Sequence, residues 1–171
     1  MAKIFKDTNA IDSLRSSDFD AVSAYGEVID NAIEAGAKNI KIQTKMKAGK
    51  RSHFFFEQIA FGDDGGGMDA QTLENCLTIG WSSRYNSRDG IGRFGVGMTL
   101  AAIHECKKVE VYSKTQGGEW LYIYLDLDKI ASGEQEELPA PERRNPGRDL
   151  LVLTNPDHGT IVVWSKYDRQ S

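Results

Sequence analysis

Glu27, Asp30, Asn31 and Glu34 recur at i, i+3, i+4 and i+7, the spacing that brings side chains onto one face of a helix. No lysine or arginine lies between residues 18 and 35 to neutralise them, as a solvated helix face would normally supply. A carboxamide in such a cluster can offer an oxygen to Mg²⁺, and Glu27, one turn earlier, can polarise a water. Downstream, Phe61-Gly62-Asp63-Asp64-Gly65-Gly66-Gly67-Met68-Asp69 sets two carboxylates against three consecutive glycines. Glycine loses the most freedom on ordering, so this run fits either a tight turn at a strand end or a ligand site that excludes side chains. Asp89 to Thr99 carries glycines at 90, 92, 95 and 97 and leads into a helix. Exposed backbone N–H groups before a helix N-terminus form an anion site, with phosphate the usual occupant. The run lacks the GxxxxGK[ST] pattern, and no βαβ unit precedes it as the dinucleotide fingerprint requires. By itself it is weak evidence.

These residues need elements to hold them. The pattern predicts a helix over about 18–35, with Val22, Tyr25, Ile29, Ala32 and Ile33 on its apolar side and Gly36 ending it in a left-handed turn. A strand follows at Asn39-Ile-Lys-Ile-Gln-Thr-Lys45, with Ile40 and Ile42 on one face, and another at about His53 to Phe61. Asp69 is placed to cap a short helix, Ala70 to Leu77. Residues 79–97 read as a long functional loop before a helix at about Met98 to Cys106. Lys107 to Lys114 and Glu119 to Leu127 read as a hairpin through Thr115-Gln116-Gly117-Gly118. Residues 131–148, with three of the four prolines, read as a surface loop; Asp149 to Asn155 and Gly159 to Tyr167 read as closing strands. The expected fold is α+β: a two-layer α/β sandwich with a mixed, mostly antiparallel sheet and helices on one face.

Composition bounds the function. A chain of 171 residues supports one domain, and a net charge of −4 gives no global field for nucleic acid. Cys76 and Cys106 have no metal spacing and no disulfide framework, so reduced thiols are expected. No apolar stretch approaches a membrane span and the first ten residues lack a signal-peptide core, so a cytoplasmic protein is expected.

Taken in order, Glu-x-x-Asp-Asn on a helix, Asp-Asp-Gly-Gly-Gly-Met, and Gly-x-Gly-x-x-Gly-x-Gly into a helix form a specific series. It resembles the GHKL ATPases (gyrase, heat-shock chaperone, histidine kinase and MutL), which share the Bergerat nucleotide-binding fold. Glu27 to Asn31 looks like the N-box, Asp63 to Met68 the first glycine box, Gly90 to Gly97 the lid end with the second, and His158 to Val162 the late Gly-Thr strand. The likeness therefore covers about residues 20 to 166. Within the superfamily, FGDDGGGMD, IGWSSR and IGRFGVGM are most similar to MORC-type ATPases and their prokaryotic relatives.

The resemblance implies that one GHKL domain, the N-terminal part of a longer protein, binds ATP or ADP with Mg²⁺ and hydrolyses ATP slowly. Glu27 would be the general base, and Asn31 would coordinate Mg²⁺. Asp63, supported by Thr160, would accept a hydrogen bond from the adenine amino group. Gly65 and Gly67 would let the backbone approach the base, and Met68 would line its pocket. Gly92, Arg93, Phe94, Gly95, Val96, Gly97, Met98 and Thr99 would meet the phosphates, with about 79–97 as a lid; Arg84 is a further phosphate candidate. Asp64 reads as a turn residue, and His104 and His158 as structural. Lid closure would gate nucleotide-dependent homodimerisation or binding of DNA or another protein, with no membrane involved. Many MORC-type sequences carry a lysine after the second glycine box, where this chain has Met98-Thr99, so one phosphate contact is missing. That gap keeps a non-hydrolysing nucleotide-binding module open as an alternative. A sensor-kinase catalytic domain is the other alternative, and Glu27 argues against it, because a kinase must keep water from attacking.

Overall fold

The computed structural model describes residues 21–77 and 102–167. Six strands form one open sheet in the order β1-β2-β6-β3-β4-β5, with every neighbouring pair antiparallel. The strands are β1 (Ile40–Ala48), β2 (Phe54–Asp63), β3 (Cys106–Lys114), β4 (Leu121–Asp126), β5 (Glu142–Arg143) and β6 (Gly159–Tyr167). The described helices are α1 (Ala21–Glu34), α2 (Ala70–Cys76), α3 (Leu127–Ala131) and α4 (Arg148–Leu151), and residues 102–105 are also helical. The α+β architecture expected from the pattern is the one observed.

The main core lies between the sheet and helices α1 and α2. Ile59 and Phe61 of β2, Val109 and Val111 of β3, Ile123 and Leu125 of β4, and Val162 and Trp164 of β6 meet Ala24 and Val28 of α1 and Leu73 and Cys76 of α2. Successive strand residues face opposite sides, so the alternate residues Ala60, Tyr112, Tyr122, Ile161 and Val163 form a second apolar layer on the far face. Trp120, Leu150 and Leu153 cover that layer. The helices of the main layer thus share one face, as expected, while the one-turn α4 packs behind.

Three local readings are corrected. The run Asp149 to Asn155 is no strand: it is α4 followed by turns, with Leu150 and Leu153 buried at i, i+3. Leu153 sits where a Cβ on Gly62 would have to be. The apolar side of α1 is not the large-residue set: Val22 and Ile33 are exposed at 78% and 59%, and the buried stripe is Ala24, Val28 and Ala32. Small residues at i, i+4 and i+8 bring the helix close to the sheet, and Tyr25 stacks on Trp164 with ring centroids 5.8 Å apart. Finally, the Pro-rich stretch 131–148 is partly built in. Leu138 and Gln135 are buried, Gln135 accepts from the Asp126 N–H at 3.1 Å, and Glu142–Arg143 pairs with β4.

Candidate functional site

The site grows from one row across the sheet. Ile40, Asp63, Thr160 and Ser113 are successive register partners on β1, β2, β6 and β3. Asp63 closes β2, and the chain must then turn under the C-terminal end of α1. Two glycines make that turn feasible. Gly67 has φ of +74° and packs against the Lys114 carbonyl, so a side chain there meets both strain and backbone. Gly65 packs on Ala35, whose carbonyl oxygen would lie 2.9 Å from an added Cβ. Close protein packing therefore requires both glycines. Gly66 has room, with the nearest atom 3.7 Å from an added Cβ, and its N–H donates to the Ala35 carbonyl at 3.0 Å.

Asp64 does more than turn the chain. Its carboxylate accepts from the backbone N–H groups of Lys38 and Asn39 at 2.7 and 2.8 Å and from the Asn39 side chain at 2.8 Å. These hydrogen bonds hold the carboxyl low, at about 2. They also fasten the α1–β1 turn to the glycine loop. From the other side, His158 Nδ1 lies 2.8 Å from the Gly65 carbonyl oxygen, which gives this histidine a structural contact.

Between α1, the glycine loop, α2 and the sheet lies a cavity of about 240 Å³. Val28, Ala32 and Ala35 line it from α1, Gly66, Gly67 and Met68 from the loop, and Thr72 from α2. Its polar side chains are few: Asn31, Asp63, Thr72 and Thr160. Met68 both lines the cavity and joins the main core. Apolar walls with a few convergent polar groups suit a flat heteroaromatic ligand.

Asp63 is 8% exposed, and its Oδ1 accepts from the Gly65 N–H at 2.9 Å. Burial pushes its carboxyl up to about 6, against the lowering effect of hydrogen bonds from the Gly65 and Thr160 backbones. Thr160 Oγ1 lies 2.8 Å from Ser113 Oγ. On α1, the Asn31 Nδ2 is buried at the cavity wall without a partner among the described residues. A carboxamide can turn either end to a ligand, so this orphaned group fits a phosphate oxygen or, through its oxygen, a cation. Among the described residues no group of three or more His, Cys, Asp and Glu could hold a metal alone. The Asn31 oxygen fits Mg²⁺ as one ligand, with phosphate oxygens and waters completing the shell.

Glu27 lies one turn before Asn31 and is half-buried, while Asp30 and Glu34 are exposed. The four-residue polar face therefore divides, and Glu27 and Asn31 flank the buried stripe. Burial raises the Glu27 carboxyl above its ordinary value, helped by the nearby charges of Asp30 and Glu34. It is not among the cavity-lining residues. Gly92, Arg93, Phe94, Gly95, Val96, Gly97, Met98 and Thr99, with Arg84 and the 79–97 lid, lie outside the described residues. Sequence reasoning missed Val28, Ala32, Ala35, Thr72 and Val162 as cavity walls and Ser113 beneath Thr160. Only tertiary packing selects these small or apolar residues.

Comparison with known proteins agrees with this geometry. A family model described as histidine kinase-, DNA gyrase B- and HSP90-like ATPase matches residues 19–160. Protein MICRORCHIDIA 7 of Arabidopsis thaliana is 24% identical over 169 residues, covering 88% of this chain and 23% of the relative. Protein MICRORCHIDIA 4 of the same plant is 28% identical over 166 residues, 86% of this chain and 20% of the relative. Protein MICRORCHIDIA 2 is 34% identical over 102 residues, 57% and 16% respectively. The chain thus spans less than a quarter of the length of these curated relatives.

Proposed function

The chain belongs to the histidine kinase-, DNA gyrase B- and HSP90-like ATPase family, with distant similarity to MORC (Microrchidia) proteins, and from that premise we propose that its cavity binds ATP and that Glu27 drives slow hydrolysis to ADP and phosphate. Family membership implies ATP binding; the residue roles are our reading. The observation that carries it is a buried carboxylate, Asp63, facing a small apolar cavity that also holds the Asn31 amide, whose Nδ2 has no partner among the described residues.

Adenine lies between Met68 and the α1 wall of Val28 and Ala32, its amino group donating to Asp63. Guanine carries a carbonyl at that position, and a carbonyl facing a carboxylate leaves two acceptors without a proton. Phosphates run toward Asn31, and the family resemblance gives Gly92, Arg93, Phe94, Gly95, Val96, Gly97, Met98 and Thr99 as their further contacts. Asn31 would hold Mg²⁺, which when bound offsets phosphate charge. Glu27 takes a proton from a water as the water oxygen bonds to the γ-phosphorus. The bridging P–O bond breaks and ADP leaves with the electron pair. A carboxyl raised by burial is suited to hold that proton. The chain's place as the N-terminal domain of a longer protein, with a lid over about 79–97 gating dimerisation or a DNA or protein partner, is part of the same proposal.

Calorimetry with ATP and GTP on wild type, Asp63→Ala and Glu27→Gln tests the assignment. Asp63→Ala loses about tenfold or more in ATP affinity, the scale of a buried charge-assisted hydrogen bond. Glu27→Gln keeps its ATP affinity and loses turnover by about 10²-fold or more. Equal affinity for GTP sinks the adenine reading, and undiminished hydrolysis in Glu27→Gln removes it as the base.

A further inference from the structure

Ser113 is fully buried on β3 and touches no part of the cavity, yet its hydroxyl has three polar neighbours. The Met68 N–H donates to its Oγ at 2.7 Å, its O–H donates to the Gly159 carbonyl at 3.2 Å, and Thr160 Oγ1 lies 2.8 Å away. A serine hydroxyl has one proton and two lone pairs. Gly159 can only accept and the Met68 amide can only donate. One assignment satisfies all three contacts: the serine proton goes to Gly159, and Thr160 donates its own proton to Ser113. Thr160 then presents only lone pairs to the cavity, beside the Asp63 carboxylate.

We infer that Ser113 is a specificity-positioning residue: it fixes the Thr160 hydroxyl as an acceptor, so that the cavity floor takes a purine with an amino group at its 6-position and rejects a 6-oxo purine. This rests on the nucleotide reading of the cavity. Rejection follows because a buried acceptor facing another acceptor leaves both unsatisfied. Without Ser113 the Thr160 proton is free to rotate into the cavity and donate to a 6-oxo group. The Met68 amide would also lose its partner, but that loss weakens all purines alike.

ATP and inosine triphosphate differ in the ring only at the 6-position and its neighbouring N1, so their affinity ratio is the readout. It is measured calorimetrically with Mg²⁺ on the wild type, Ser113→Ala, Thr160→Val and the double variant. Ser113→Ala narrows the wild-type preference for ATP by about tenfold. Thr160→Val narrows it similarly, and the double variant goes no further than Thr160→Val. A Ser113→Ala protein that weakens both ligands equally and keeps the ratio overturns the inference, as does an undiminished Ser113→Ala effect in the Thr160→Val background. Should Ser113→Ala fail to fold, Thr160→Ser keeps the ratio and Thr160→Val narrows it by about tenfold, the remainder being held by Asp63; an unchanged ratio in Thr160→Val overturns the inference. A wild type with no preference between the two nucleotides removes the adenine reading itself, a failure distinct from that of Ser113.

Discussion

Asp63 is where burial and the proposed recognition of adenine oppose each other. Its pKa rises from 3.8 to about 6, chiefly because burial disfavours the charge. Between those values the folded chain holds a proton that the unfolded chain has released. Stability therefore falls as pH rises through that window, by about 3 kcal/mol for a shift of this size, and the cost is fully present above the folded pKa. A ligand amino group on the carboxylate stabilises the charged form and reverses the shift. ATP binding near pH 6 is accordingly expected to release up to about half a proton from Asp63, and affinity to fall as pH drops below about 6. Calorimetry in two buffers of different ionisation enthalpy measures that proton, and Asp63→Asn abolishes it. Zero release in the wild type would disconnect Asp63 from the ligand. Its place among the glycines marks Asp63 in the sequence, and the structure puts it, buried, at the cavity wall. Its neighbour Asp64 reads as a turn residue in sequence, and its three hydrogen bonds to Lys38 and Asn39 make it a tie between the glycine loop and the α1–β1 turn. The partners could not be read from sequence, because they lie 25 and 26 residues away.

At the scale of elements, the sequence pattern reported types well and faces less well. Helix α1 was legible in position and Ala32 in its burial, yet Ala24 and Val28 of the buried stripe were hidden behind the larger Val22 and Ile33, which face solvent. Residue size was mistaken for burial, whereas close helix–sheet approach selects small side chains. The run Leu150-Leu151-Val152-Leu153 was read as a strand by composition. Its buried members are three apart, the period of a helical turn. The glycine loop divides in a testable way. Gly67 adopts positive φ against the Lys114 carbonyl, so Gly67→Ala is expected to lower stability by at least about 1–3 kcal/mol from backbone strain alone. Gly66 has neither constraint, and Gly66→Ala is expected to stay within about 1 kcal/mol of wild type. Urea denaturation of the two variants compares them directly; equal losses would mean that the loop is not held as described.

On the scale of the whole molecule, the cavity is the place where separately anchored parts meet. Helix α1 supplies Asn31, β2 Asp63, β6 Thr160 and α2 Thr72, while the loop brings Met68. A ligand filling it would bridge α1 to the sheet at the open end of the main core, so its binding energy adds to the stability of the entire fold. At a free concentration one hundred times its Kd, a ligand that binds only the folded state contributes about 2.7 kcal/mol. For a chain of 171 residues this corresponds to a rise in melting midpoint of roughly 5–11 °C. Mg-ATP is expected to give that shift, and GTP at the same concentration a far smaller one. Asp63→Ala should lose the ATP shift, because the base is no longer held. Glu27→Gln should keep it, since Glu27 lies outside the cavity lining and acts in our reading on water rather than on binding. Loss of the shift in Glu27→Gln together with Asp63→Ala would make Glu27 a ligand contact. The two carboxylates could then no longer be separated into one that reads the base and one that performs the hydrolysis.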